Sequence, residues 1–191
     1  MLKDKSIDNI FYVDIGMKNN VDLVRWQVNG KSYPLDIISA RENATDKDFF
    51  HNENNEKRTV FTRKGNFVFS IGSKVSVQYQ VLEAMLKKIH DHFLSNFQHL
   101  PESMLASGIL NGYCDFIPDL CQKAESEDIK WVSTFCRICN KDVHVAVKKT
   151  LINEAENFPV SLVFFHHGHG LLMYFDANFK VRASENVAIS G

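Results

Sequence analysis

No apolar run in this chain approaches the roughly 20 residues that cross a bilayer as a helix. The longest, at 160–165 (interrupted by Ser161) and 171–175, are strand-sized. The opening residues, Met1-Leu2-Lys3-Asp4-Lys5, are charged and lack the apolar segment of a secretory leader. Membrane insertion and export are therefore not expected, and the chain is read as cytoplasmic. Charge of one sign is missing too. Lys and Arg number 22 against 23 Asp and Glu over 191 residues, and the balance holds in each third of the chain. A basic arm and an acidic tail are excluded, and a nucleic-acid partner held by global attraction to phosphate is not expected. Catalytic templates are absent as well. There is no G-x-S-x-G elbow, no Walker loop and no dinucleotide G-x-G-x-x-G.

What remains is ordinary globular composition, 45% apolar and 24% charged, which excludes disordered and fibrous classes. Phe is abundant, with 15 copies against 5 Tyr and 2 Trp. Its alternating placement at Phe11, Phe67, Phe69, Phe164, Phe165 and Phe175 reads as sheet core. Single-stranded RNA stacked on these rings is the other reading. It would need a basic face assembled from Arg58, Arg63, Lys64, Lys148 and Lys149.

Apolar alternation predicts strands at 10–15, 21–28, 59–62 and 66–71. Asn29-Gly30 is the strongest two-residue hairpin signal and would lead into a return strand at 31–38. Residues 39–57 are polar and read as a long exposed loop. A second hairpin is expected around Arg63-Lys64-Gly65. Leu82, Met85, Leu86, Ile89, Phe93 and Phe97 fall on one stripe of helical period, capped by Ser73 or Ser76 and running to about Phe97. His90, His92 and His99 read as exposed or rim positions. A second helix at 102–111 follows Pro101, and Pro118 is expected to interrupt its continuation. Ala124-Glu125-Ser126-Glu127-Asp128 reads as a polar break. It divides the chain into a domain at 1–125 and a small module at 126–191. The module orders as a β-hairpin, a short helix at 149–157, and a meander whose last strand covers 179–182. The fold class is α+β: an antiparallel sheet packed on long helices, followed by the hairpin, helix and meander.

The most chemical segment is Cys136-Arg137-Ile138-Cys139-Asn140-Lys141. Two cysteines two residues apart, followed by a residue that tolerates positive φ, have the outline of a zinc knuckle. Its turn aims two sulfurs at one point. A closed tetrahedral site needs two further ligands. His167 and His169 are two apart, so on a hairpin tip they point the same way. His144, just past the knuckle, is another source. Cys114 and Cys121 lie seven apart but straddle Pro118. Two alternatives stand beside metal binding. The thiols serve as small core hydrophobes, or as a redox pair, although such a pair normally precedes a helix and this one precedes a strand. The metal set read from the sequence is Cys136, Cys139, His167 and His169, with one structural zinc ion. The tip Phe165-His166-His167-Gly168-His169-Gly170 could also bind a transition metal or titrate near neutrality.

The segment Val81-Leu82-Glu83-Ala84-Met85-Leu86-Lys87-Lys88-Ile89-His90-Asp91-His92-Phe93, coming after sheet strands ending in Phe67-Val68-Phe69-Ser70-Ile71-Gly72, resembles the first long helix of longin and roadblock-type domains. The resemblance covers about residues 8–123. It implies an antiparallel sheet against helices and a non-catalytic platform for a protein partner, such as a small GTPase or a multi-subunit assembly. Residues 126–191 resemble a small zinc-knuckle or ribbon-like module. The function expected is a non-catalytic cytoplasmic adaptor or assembly subunit, with homo-oligomerisation open. The alternatives are a metal-dependent enzyme or sensor using Cys136, Cys139, His166, His167 and His169, and a zinc-containing RNA-binding module.

Overall fold

The computed structural model describes residues 6–28, 49–166 and 168–187. The chain divides into two compact units, Met1–Glu127 and Asp128–Gly191. Both are built on antiparallel sheets, so the α+β class holds. The Asn29-Gly30 hairpin, its return strand at 31–38 and residues 39–48 of the expected loop lie outside the described residues.

The first unit carries strands β1 (Ile10–Met17), β2 (Asp22–Gln27), β3 (Phe50–Glu53), β4 (Lys57–Lys64) and β5 (Phe67–Lys74). They form one sheet in the order β2-β1-β5-β4-β3. The expected loop at 39–57 is corrected at its end, because Phe50–Glu53 pairs with β4. Phe50 stacks on Phe61 at 5.4 Å, and that apolar contact fixes the register of a strand whose remaining residues are polar. The β4–β5 turn is also tighter than expected. Arg63 and Lys64 stay in the strand, and Gly65 alone takes positive φ, +59°.

Strand alternation gives the sheet two buried faces. One carries Val13, Ile15, Val60, Phe69 and Ile71; the other carries Tyr12, Asp14, Phe61, Val68 and Ser70. Helix α1 (Tyr79–Phe97) packs on the first. Its Phe93 meets Phe67 and Phe69 edge-on at 5.4 and 5.7 Å. The apolar stripe read from the sequence is the buried one, with Leu82, Met85, Leu86, Ile89 and Phe93 all at 0% exposure. The helix starts later than expected. Ser73 is buried in β5, and Gln78 stands at the N-cap with no side-chain cap bond. His90 is also corrected: it is buried, with its ring against Phe69.

The expectation of several long helices does not hold among the described residues. Only α1, at 19 residues, is long. Helix α2 covers just Glu102–Leu105, and turns occupy the stretch that periodicity had extended to residue 111. A 3₁₀ turn at Tyr113–Phe116 runs directly into α3 (Ile117–Asp128). Pro118 falls in the first turn of α3, where its missing N–H removes no intrahelical bond, so it begins a helix rather than breaking one. The polar stretch 124–128 is the last turn of α3, not a loop. Ser6 Oγ donates to Glu125 at 2.8 Å and Lys88 Nζ to Glu127, so these charges fasten the helix to its own unit.

The second unit contains β6 (Ile129–Cys136), β7 (Lys141–Lys148), α4 (Lys149–Asn153), β8 (Val160–His166), β9 (His169–Phe175) and β10 (Val181–Val187). The hairpin, helix, meander order is as read, although α4 is shorter than expected and β10 starts later and runs further. Asp176 makes the β9–β10 turn by accepting the N–H groups of Asn178 and Lys180, both at 2.9 Å. One face of the β6–β7 pair, with Cys136, Val143, Val145 and Val147, joins Ile152, Phe164, Leu171, Met173 and Phe175 in a single core. Among the aromatics expected inside, Phe69, Phe164 and Phe175 are buried. Phe165 is not: it is 73% exposed, because it points from β8 to the face opposite Phe164.

Candidate metal centre

The β6–β7 hairpin ends in a tight loop between paired residues Cys136 and Lys141. Asn140 takes φ of +52°, the left-handed conformation that Asn tolerates better than most side chains. This bend turns the chain back so that the backbone N–H groups of Cys139 and Ile138 bond to the Cys136 sulfur. The β8–β9 tip brings His169 to the same place, at the start of β9. Nε2 of His169 lies 3.0 Å from Cys136 Sγ and 3.7 Å from Cys139 Sγ. All three ligand atoms lie within 4.8 Å of one another.

These separations suit one ion. Zinc–sulfur and zinc–nitrogen bonds of about 2.3 and 2.0 Å at a tetrahedral angle imply a sulfur–nitrogen distance of about 3.5 Å. The two observed distances bracket that value. The electrostatics agree. The Cys139 N–H stabilises the Cys136 thiolate, and with help from His169 and the Ile138 N–H it brings the thiol down to about 7, against the opposing effect of burial. Cys139 moves the other way. Burial raises it, and its bond to Cys136 raises it further. The Cys136 sulfur is thus the more easily ionised of the two, and a bound cation would offset the burial and the neighbouring sulfur that raise Cys139.

Of the metal set read from the sequence, Cys136, Cys139 and His169 come together. His167 lies outside the described residues. Two other sources do not join them. His144 points to the opposite face of the hairpin and bonds through Nδ1 to Ser133 Oγ at 2.7 Å. Strand alternation explains this, because His144 stands between the core residues Val143 and Val145. Cys114 is half-buried and donates to the Arg25 carbonyl, while burial pushes the Cys121 thiol up to about 12. Sequence reading missed Asn186, whose Oδ1 accepts from Cys136 Sγ at 3.7 Å. The alternation of Ser184 and Asn186 along a longer β10 would have found it. Ser184, on the same face, contacts Thr134 of β6 at 3.4 Å. Arg58, one of the cations proposed for an RNA face, is instead engaged by Glu53 and the Val77 carbonyl and lies over the Tyr79 ring.

No family model matches the chain, and no curated protein matches it. Among solved structures, it is similar to a chain from "The Structure of the Mammalian SRP Receptor" at 16% identity and a TM-score of 0.42. The likeness covers 62% of this chain and 96% of that one. A similarity that loose carries no weight for function. No helix among the described residues is long and apolar enough to cross a membrane.

Proposed function

We propose that this chain is a non-catalytic adaptor or assembly subunit whose second unit is held together by one structural zinc ion. The observation that carries the reading is the convergence of Cys136 and Cys139 from one hairpin with His169 from another. A unit of about 60 residues is near the size at which a hydrophobic core alone becomes marginal, and metals commonly supply what is missing. A metal on these three side chains ties the β6–β7 pair to the meander where their shared core ends. His167, which lies outside the described residues, is the sequence's candidate for the fourth ligand.

No carboxylate belongs to the cluster among the described residues. A fourth protein ligand would close the tetrahedron, and that closed, structural form is the one proposed here. The first unit, a five-stranded antiparallel sheet under α1, suits the longin or roadblock-type platform that its sequence resembles. Its role would be to bind a protein partner, with a small GTPase or a multi-subunit assembly as the candidate class.

Elemental analysis of untagged protein tests the zinc reading. About one zinc per chain is expected, and less than about 0.2 would overturn it. Replacing zinc with cobalt should give the absorption of a tetrahedral thiolate site, lost in Cys139→Ser and His169→Ala. The adaptor reading expects a specific protein to co-purify in fixed stoichiometry from the native source, with no turnover. A chain recovered alone and monomeric would count against it.

A further inference from the structure

The meander has one edge unlike every other edge among the described strands. β8 lies at the end of the β10-β9-β8 order and pairs only with β9. Its sequence, Val-Ser-Leu-Val-Phe-Phe-His, contains no Asp, Glu, Lys or Arg. Every other edge strand carries charge: Asp22 and Arg25 on β2, Glu53 on β3, Lys130 on β6, Lys141 and Asp142 on β7, Arg182 and Glu185 on β10. Charge on an edge strand is a common defence against unwanted strand pairing. β8 lacks it, and no described strand other than β9 pairs with it.

The side chains on that edge are apolar and open. Val163 is 46% exposed and Phe165 73%, both on the face opposite the core. Register places Leu172 and Tyr174, each half-exposed, beside Val163 and Ser161 on the same face. An extended strand is therefore the geometry that fits: main-chain bonds along the edge, and apolar contacts beside it.

We propose that the occupant is β8 of a second copy of this chain, paired antiparallel about a two-fold axis at Val163. Val163 is the middle residue of the seven, so this register alone pairs the strand along its whole length. Val163 then faces Val163 of the second copy, Ser161 faces Phe165, and Leu162 faces Phe164. The largest exposed ring lies over the smallest side chain, inward-pointing residues meet each other, and no charge is desolvated. The two three-stranded meanders become one six-stranded sheet, and both β8 edges disappear. A displaced register costs overlap: a centre at Leu162 sets Phe165 against Pro159, which lacks the N–H a ladder needs.

Sedimentation velocity on the full, metal-replete chain tests this over about 1 to 100 µM, the range of a small interface. The wild-type chain should shift from monomer toward dimer with concentration. Val163→Lys and Val163→Glu should each remain monomeric, because like charges would face each other at the axis. Mixing the two variants should restore the dimer, since residue 163 meets its own counterpart. Phe165→Lys, at the most exposed position, should lose the dimer independently, and Glu185→Lys on the far edge should not. Circular dichroism matching wild type shows that the variants fold. A wild-type monomer throughout, a dimer that survives Val163→Lys, or a folded Lys–Glu mixture that stays monomeric would each overturn the proposal.

Discussion

Replacing Gly72 with Ala tests the first unit's sheet at its most constrained point. Gly72 stands directly opposite Tyr12 across β1 and β5. A Cβ built there would lie 2.2 Å from Tyr12 Cε1 and 2.8 Å from two further ring carbons. Ordinary carbon contacts sit near 3.5–4.0 Å, so the ring must move by more than 1 Å. It has nowhere easy to go, because Tyr12 is 0% exposed. Overpacking of this kind typically costs about 1–3 kcal/mol, and a ring pinned on all sides belongs at the upper end. Replacing Gly in a strand returns about 0.5–1 kcal/mol of backbone entropy, leaving a net loss of about 2 kcal/mol. For a unit of this size that lowers Tm by about 6–10 °C. The two tryptophans allow a clean assay, since Trp26 lies in the first unit and Trp131 in the second. Urea unfolding of a Trp131→Phe background reports the first unit alone. Tyr12→Leu removes the ring carbons that clash, so most of the Gly72→Ala cost should vanish in the double variant. A Gly72→Ala chain within about 0.5 kcal/mol of its parent, or a cost that persists in the Tyr12→Leu background, would refute the steric reasoning.

Further outcomes follow from the same contacts. Burial holds His90 below its ordinary value, with Lys64 and Lys87 acting in the same direction and Asp91 and the Lys87 carbonyl against it. The unfolded chain therefore takes up the proton first. The stability that His90 contributes is complete above about pH 6.5 and is lost as pH falls through the unfolded value toward the lower folded one. His90→Phe should flatten that part of the stability profile measured by Trp26 fluorescence; an unchanged slope would remove His90 as its source. Leu171 is 1% exposed in the second unit's core, and Leu171→Ala should cost about 2–5 kcal/mol on the Trp131 signal while leaving Trp26 unaffected. A strong zinc chelator should lower the unfolding midpoint seen by Trp131 and not the one seen by Trp26. Equal shifts in both, or none in either, would argue against a structural ion in the second unit.

Much of the fold was legible because its signals are local and periodic. The stripe from Leu82 to Phe93 required only the helical repeat, and the second unit's hairpin and meander required only alternation and turn residues. The misreadings have physical causes. Periodicity extended the second helix to residue 111 because Leu105, Ile109 and Leu110 are correctly spaced, yet only Glu102–Leu105 is helical and Ile109 is half-exposed. Pro118 reads as a break because a proline's effect depends on whether it falls in the first turn, which its neighbours do not announce. His90 reads as a rim residue when polarity is weighed above position. It falls beside Ile89 on the stripe, and its ring packs on Phe69 while Nδ1 finds the Lys87 carbonyl at 3.1 Å.

The candidate centre shows where local reading stops. Cys136 and Cys139 were identifiable because their spacing and the following Asn140 encode the knuckle turn within a few residues. His169 is named together with His167 from their spacing at one hairpin tip, but nothing near them in sequence says that this tip meets the knuckle. What selects it is the pairing of His166 with His169 across β8 and β9, together with the shared core that brings both hairpins of the unit together. The same alternation governs the other misjudged residue. Phe164 and Phe165 are equally apolar, and composition assigned both to the core. One strand cannot bury two successive side chains on one face, so placing Phe164 inside sends Phe165 out. Two aromatic residues in a row on an edge strand thus mean either a second covering layer or a second strand. The absence of charge along β8 favours the strand.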